Sequence, residues 1–223
     1  MPSLLFLHIL TLFVLLVQAN VEKVVFIAQP SIPILDIHPT LDDLDVLSLH
    51  PHHLQEPASL PVSFSAPDNS SWYLLENLRI GQRFEVRVCW PATYPTKIDV
   101  DVLSISEVLQ VPELIQSLVL YSENRDYSCI VQEPVPELKH TSKHFLRIQA
   151  SPEYISPDTE LMLKPYPVPV DIILDPYLLN ILPASLVPTG VYICVTGLLS
   201  WFVAKKAYSI LSPRSESTKP HVD

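Results

Sequence analysis

The residues able to do chemistry are few, and each group lacks the neighbours its chemistry needs. His50, His52 and His53 flank Pro51. Three imidazoles so close have the right donor type for a metal, but no cysteine or carboxylate lies beside them at a helix-fixed spacing, so they read as solvated loop histidines. Asp42, Asp43 and Asp45 contain the Asp-x-Asp pattern with which some sugar-nucleotide enzymes hold a divalent cation. That pattern works inside a nucleotide-binding α/β scaffold, of which this chain carries no sign. Arg79, Arg83 and Arg87 recur every fourth residue, which on a strand reads as one exposed face open to neighbouring acids or an acidic partner. No Gly-x-Ser-x-Gly elbow, His-Glu-x-x-His or Cys-x-x-Cys occurs. With only 3 glycines in 223 residues, a glycine-rich phosphate cradle is excluded. The expectation is a non-enzyme with no catalytic residue, no metal site and no cofactor.

Composition narrows the class further. A net charge of −10 excludes simple nucleic-acid binding, which needs a basic face to displace counterions. Charged residues make up 17% and apolar types 48%, and the mean hydropathy is +0.27. That is too apolar for a disordered chain, and for a soluble domain unless part of it lies in membrane.

Two segments account for the excess. Leu4–Val17 is apolar except for His8 and Thr11, and Val17-Gln18-Ala19 fits a signal-peptidase site. Residues 1–19 are therefore expected to be a signal peptide, with Asn20 the mature start; an uncleaved anchor is the alternative, for which the stretch is short. Residues 181–204 carry no charge, and at 1.5 Å per residue they would extend about 36 Å, enough to cross a bilayer. Lys205 and Lys206 follow, and Asp171 and Asp175 precede. The positive-inside rule places residues 205–223 in the cytosol and residues 20–180 in the lumen. Residues 20–180 hold 10 basic and 22 acidic side chains, against 4 and 2 in residues 205–223. The expected architecture is single-pass type I.

A secretory compartment gives other residues meaning. Cys89 and Cys129 are the cysteines on the luminal side, with Cys194 inside the span as a packed thiol. Paired, Cys89 and Cys129 would close a loop of about 40 residues, worth roughly 3–4 kcal/mol on the chain-entropy model; two unrelated buried thiols are the alternative. Asn69-Ser70-Ser71 is the chain's N-x-[ST] match, a glycosylation candidate in a loop-like context. Within the span Gly190 and Gly197 lie two helical turns apart, with Thr189, Thr196 and Ser200 nearby, a small-residue face suited to helix packing or simply to lipid.

The luminal part reads as mainly β, a β-sandwich-like domain with one short helix. Val24–Ile27 is a β-branched and aromatic run. Residues 28–70, rich in proline, read as extended loops with a few short strands. Phe84, Val86, Val88 and Trp90 alternate with Glu85, Arg87 and Cys89, the period of a half-buried strand. The run from Leu75 through Gly81 into Phe84 looks like the corner before a late sandwich strand, with Phe84 where a corner tyrosine would stand. Further strands are expected at 98–105, 145–150 and 168–174. Leu109, Leu114, Leu118 and Tyr121 sit at helical spacing, with Glu107 and Pro112 near helix starts, predicting a helix across one edge of the sandwich.

Several stretches resemble fungal proteins of the GPI mannosyltransferase II co-activator family: Asn20-Val21-Glu22-Lys23-Val24-Val25-Phe26 directly after the signal, Ser71-Trp72-Tyr73-Leu74-Leu75 leading into Gly81–Trp90, and Pro112-Glu113-Leu114 followed by Tyr121-Ser122. The plan of signal, luminal domain and C-terminal span is similar throughout. The resemblance implies a non-catalytic endoplasmic reticulum subunit that stabilises or activates the multi-span mannosyltransferase adding the second mannose to the GPI precursor. A single helix offers no cavity for a polyprenyl-phosphate donor, so the expected action is binding. Two alternatives stand beside it: a subunit of the first GPI mannosyltransferase, and a cargo or adhesion receptor with a ligand-binding sandwich.

Overall fold

The computed structural model describes residues 20–30, 46–51, 55–64, 70–123 and 141–211. The expected signal peptide, Asp42, Asp43, Asp45, His52, His53, Asn69, Cys129 and the tail beyond 211 lie outside the described residues. In chain order the elements are β1 (Val21–Ile27), β2 (Leu47–Leu49), β3 (Gln55–Leu60), β4 (Ser70–Arg79), β5 (Arg83–Cys89), β6 (Thr96–Ser104), α1 (Ile105–Gln110), α2 (Pro112–Glu123), β7 (Thr141–Pro152), α3 (Thr159–Leu163), β8 (Val168–Leu178), β9 (Leu182–Pro183), a 3₁₀ turn (Ala184–Leu186) and α4 (Val187–Leu211).

The strands form two sheets. One runs β1-β5-β8-β3, with β9 added to the end of β8; the other runs β2-β4-β7-β6. All pairings are antiparallel except β2 with β4. The period-2 pattern of β5 sends Phe84, Val86 and Val88 inward, where they meet Ile172 and Leu174 of β8 and, across the interior, Leu75, Leu78, Leu146 and Ile148 of the second sheet. Each such side chain contributes about 1.5–3 kcal/mol relative to exposure. Phe84 lies in this core and stacks on Phe26, its β1 partner, at 5.8 Å.

β4 is buried on both faces. Tyr73 and Leu75 face the other sheet, while Trp72 and Leu74 lie beneath Ile105, Val108 and Leu118 of the helices, which is why Trp72–Leu75 is a continuous apolar run. Trp72 meets Phe145 edge-on at 5.9 Å and donates its indole N–H to Ser117 Oγ at 3.1 Å. The expected single helix is thus two, and they cover the outer face of the second sheet over its central strands β4 and β7, not an edge. Val111 breaks them: ahead of Pro112 it is forced out of the helical region, to φ −113 and ψ 106. Leu109, expected on the buried side, is exposed. α1 starts on a capping box, with Ser104 Oγ accepting from the Glu107 N–H and the Glu107 carboxylate from the Ser104 N–H.

Between β4 and β5 the chain changes sheets through Ile80-Gly81-Gln82. Gly81 takes φ +80, a conformation only glycine adopts without strain, and the turn is pinned by Gly81 N–H to Ala28 O at 2.8 Å and Ala28 N–H to Gln82 O at 3.0 Å. The apolar segment expected over 181–204 folds differently at its ends. Residues 182 and 183 still pair with β8, and the helix proper runs Val187–Leu211, past Lys205 and Lys206. The stretch Ala184–Leu211 is long and apolar enough to cross a membrane, and none of it is buried against the rest of the chain.

Candidate functional site

The most organised polar site lies where the first sheet meets α4. Along β5 and β8, the central strands, alternate residues point away from the core: Glu85 and Arg87 from one, Asp175 and Tyr177 from the other. A solvated face would leave them exposed, yet Asp175 has 0% and Glu85 6% relative exposure. The chain beyond β8 folds back over them. β9 pairs Pro183 with Tyr177, and the 3₁₀ turn delivers Ser185 onto the Asp175 carboxylate.

Asp175 accepts three hydrogen bonds. The Ser185 N–H donates to Oδ1 at 3.2 Å, and the Ser185 hydroxyl donates to Oδ2. Arg87 Nη2 reaches the same Oδ2 at 3.3 Å and Ser185 Oγ at 3.1 Å. Arg87 Nε lies 3.2 Å from Glu85 Oε1. The contact is ionic without being a hydrogen bond, since the N–H points elsewhere and that nitrogen is buried without an acceptor. Tyr177 completes the chain, donating its hydroxyl to Glu85 Oε2 at 3.0 Å. Burial, then this bond to a carboxylate, push the Tyr177 phenol above its ordinary pKa. One guanidinium thus sits between two covered carboxylates, the pairing that makes a buried charge tolerable.

A second layer ties the neighbouring turns. Asn180 stands in the left-handed region, φ 59; its side chain accepts from the Arg83 N–H at 2.7 Å and donates to Gly81 O at 3.0 Å. Gln82 Nε2 donates to Tyr177 O at 3.0 Å, and the Arg83 guanidinium lies 5.8 Å from the Tyr177 ring centre. The β4–β5 turn, the end of β8 and the start of the apolar helix form one hydrogen-bonded unit. These bonds join the turn that leads into the apolar helix to the sheet.

The three arginines do not share one face. Arg79 ends β4 in the other sheet, exposed, whereas Arg83 and Arg87 are half-buried on the outer side of β5. Cys89 is a half-buried free thiol at the end of β5; burial raises its pKa, Arg87 works against that and Asp171 adds to it. Cys194, expected to be packed, is exposed on α4. Gly190 and Gly197 also lie on α4, where an added side chain would meet nothing within 4 Å. Thr196 bonds back to Tyr192 O at 2.9 Å and Ile193 O at 3.0 Å, satisfied within its own helix. His50 follows β2, its Nδ1 3.5 Å from Asn77 Nδ2. Among the described residues no three His, Cys, Asp or Glu side chains converge as metal ligands.

Glu85, Tyr177 and Ser185 were not singled out by sequence, and Asp175 was read only as an acid flanking the span. The available signal was Glu85 and Asp175 at outward positions of otherwise apolar strands. A groove of about 460 Å³ lies near this end of the domain, lined by β1, Arg83, Val102, Glu107 and His144. His144 is buried, in contact with Ser142 Oγ at 3.1 Å and the Phe26 ring at 5.5 Å. Burial holds its pKa below the ordinary value, with Glu107 opposing. No family model, curated protein or solved structure matches the chain.

Proposed function

We propose that this protein is a non-catalytic, single-pass type I subunit of the endoplasmic reticulum membrane, which stabilises or activates the mannosyltransferase that adds the second mannose to the GPI-anchor precursor. The observation that carries the reading is the clamp of Asp175, Arg87 and Ser185. It holds a β body on an apolar helix of which no residue is buried. A helix so placed is open to lipid and to the helices of a larger membrane protein, while the body is held over that partner's luminal loops. The resemblance of residues 20–26, 71–75 and 81–90 to the co-activator family supplies the identity of the partner.

Affinity purification of the full chain in mild detergent, with mass spectrometry, tests this. A multi-span mannosyltransferase should co-purify, and depletion should accumulate a precursor carrying one mannose. A precursor without mannose assigns the chain to the first mannosyltransferase, and recovery of soluble ligands alone assigns it to a receptor. Luminal placement is checked by a glycosidase-sensitive mobility shift that Asn69→Gln abolishes.

A further inference from the structure

We propose that the end of the sandwich beside α4 is a lipid-contacting rim: Ile80 on the β4–β5 turn and Leu178, Leu179, Ile181 and Leu182 around the β8–β9 turn sit in the headgroup layer of the bilayer that α4 crosses. All five side chains are exposed in the folded chain, Leu179 to 92% and Ile181 to 78%. A cluster of large exposed apolar side chains marks an interaction surface.

Leu179 adds a second observation. It stands at φ 52 beside Asn180 at φ 59, the two central residues of the β8–β9 turn that the Ile181 N–H closes on Leu178 O at 3.0 Å. Its neighbour Asn180 is a residue type that accepts this conformation; leucine is not. The turn sets the backbone at this position, and the Leu179 side chain at its tip is left 92% exposed, where such turns ordinarily carry a small or polar residue.

The helix register selects lipid as the occupant. Lys205 and Lys206 mark the far edge of the apolar stretch. Residues 187–204 at 1.5 Å each and the 3₁₀ turn at about 2 Å each span roughly 33 Å, close to a hydrocarbon core of about 30 Å. The near edge of that core falls at Ala184–Ser185. Leu182, two residues before that edge, pairs with Leu178, which puts the turn over residues 178–182 within reach of the interfacial layer, about 5–7 Å thick on each side. The rim cannot drift from this depth. Asn180 is bonded to Gly81 and Arg83, and Ser185 to Asp175, so the span and the two turns move together. Tyr177 and Arg83, stacked beside the rim, are residue types that favour the same layer.

The test uses the full chain reconstituted without other proteins in phosphatidylcholine vesicles, with or without bromine on the lipid chains. Each variant is read as the difference from its W201F parent, in which Trp72 and Trp90 still emit; L179W then reports the rim and I155W, at the opposite end of the sandwich and 94% exposed, reports solvent. L179W should emit to the blue of I155W and lose about half its emission to bromine placed near the headgroup, as insertion by about 5–10 Å implies, while I155W responds only to aqueous acrylamide. I181W repeats the measurement without touching the left-handed position, should L179W fail to fold. The difference in emission between the unmodified chain and W201F isolates Trp201 and reports whether α4 is inserted at all. If Trp201 is quenched by bromine but both rim tryptophans behave as I155W does, the rim faces water or awaits a partner protein and the proposal is overturned while the span stands; if Trp201 is not quenched, the span itself is refuted and the rim with it.

Discussion

Removing the Asp175 carboxylate tests the clamp most directly. In Asp175→Ala, the Ser185 N–H and hydroxyl lose their acceptor and Arg87 Nη2 loses its covered carboxylate. Breaking a buried ion pair by deleting one partner costs about 3–5 kcal/mol. The Arg87 side chain keeps 27% exposure and a contact with Glu85, so water and the second carboxylate recover part of that loss. The expected destabilisation is about 2–4 kcal/mol, or about 4–16 °C of Tm at the 2–4 °C per kcal/mol of a domain this size. Thermal melts of the full chain in detergent, followed by near-ultraviolet circular dichroism, read it. Arg87→Met and the double variant close a thermodynamic cycle. Because Arg87 and Asp175 share one network, the double variant should fall short of the sum of the singles by about 0.5–3 kcal/mol. Additive losses, or an Asp175→Ala change within about 0.5 kcal/mol of zero, the range of an ordinary surface substitution, would show that the buried carboxylate is not what fixes the helix to the sheet.

Three further outcomes follow from other parts of the molecule. His144 has a folded-state pKa below its ordinary 6.5, so the unfolded chain binds the extra proton first; stability should hold above about pH 6.5 and fall as the pH drops from there toward the folded value, a slope that His144→Phe should flatten in urea titrations at several pH values. Ser104→Ala removes the acceptor of the Glu107 N–H and half of the capping box, and should cost about 1 kcal/mol with α1 amides exchanging faster. Gly190→Leu and Gly197→Leu meet no atoms of the chain within 4 Å, so melts should be unchanged, whereas co-purification with the membrane partner should drop if that face packs against it; equal recovery would leave those positions facing lipid.

The parts of the fold that were legible are those written in short-range patterns. Alternation through Phe84, Val86 and Val88 gives β5 and its buried face, and an uncharged stretch ending at Lys205 gives the apolar helix. The break at Val111 was also present, in Pro112, but was outweighed by the spacing of Leu109 and Leu114. The packing of α1 and α2 over the second sheet was legible only in retrospect: Trp72 and Leu74 are apolar on the side of β4 that a solvated sheet would make polar. The clamp was not legible, because its members stand 88 to 98 residues apart at Arg87–Asp175 and Arg87–Ser185. No local period relates such residues; only the antiparallel pairing of β5 with β8 and the reversal after Leu178 bring them together.

That reversal also bears on how a single helix could recognise anything. α4 is apolar all round and none of its residues is buried, so by itself it presents lipid-like surface with little to orient it about its own axis. Fixing the body to its first turns supplies the missing orientation, since rotation of the helix then carries the whole sandwich with it. On the proposed reading two modest surfaces, one on the helix and one on the luminal sheets, would engage one partner, and the second contact would form at the effective concentration set by the link between them. A stiff link of matched geometry raises that concentration; a slack one dilutes it. Asp175→Ala should therefore weaken retention of the partner enzyme in detergent even at temperatures where the variant remains folded. Retention equal to that of the unmodified chain would mean that one of the two surfaces carries the interaction alone.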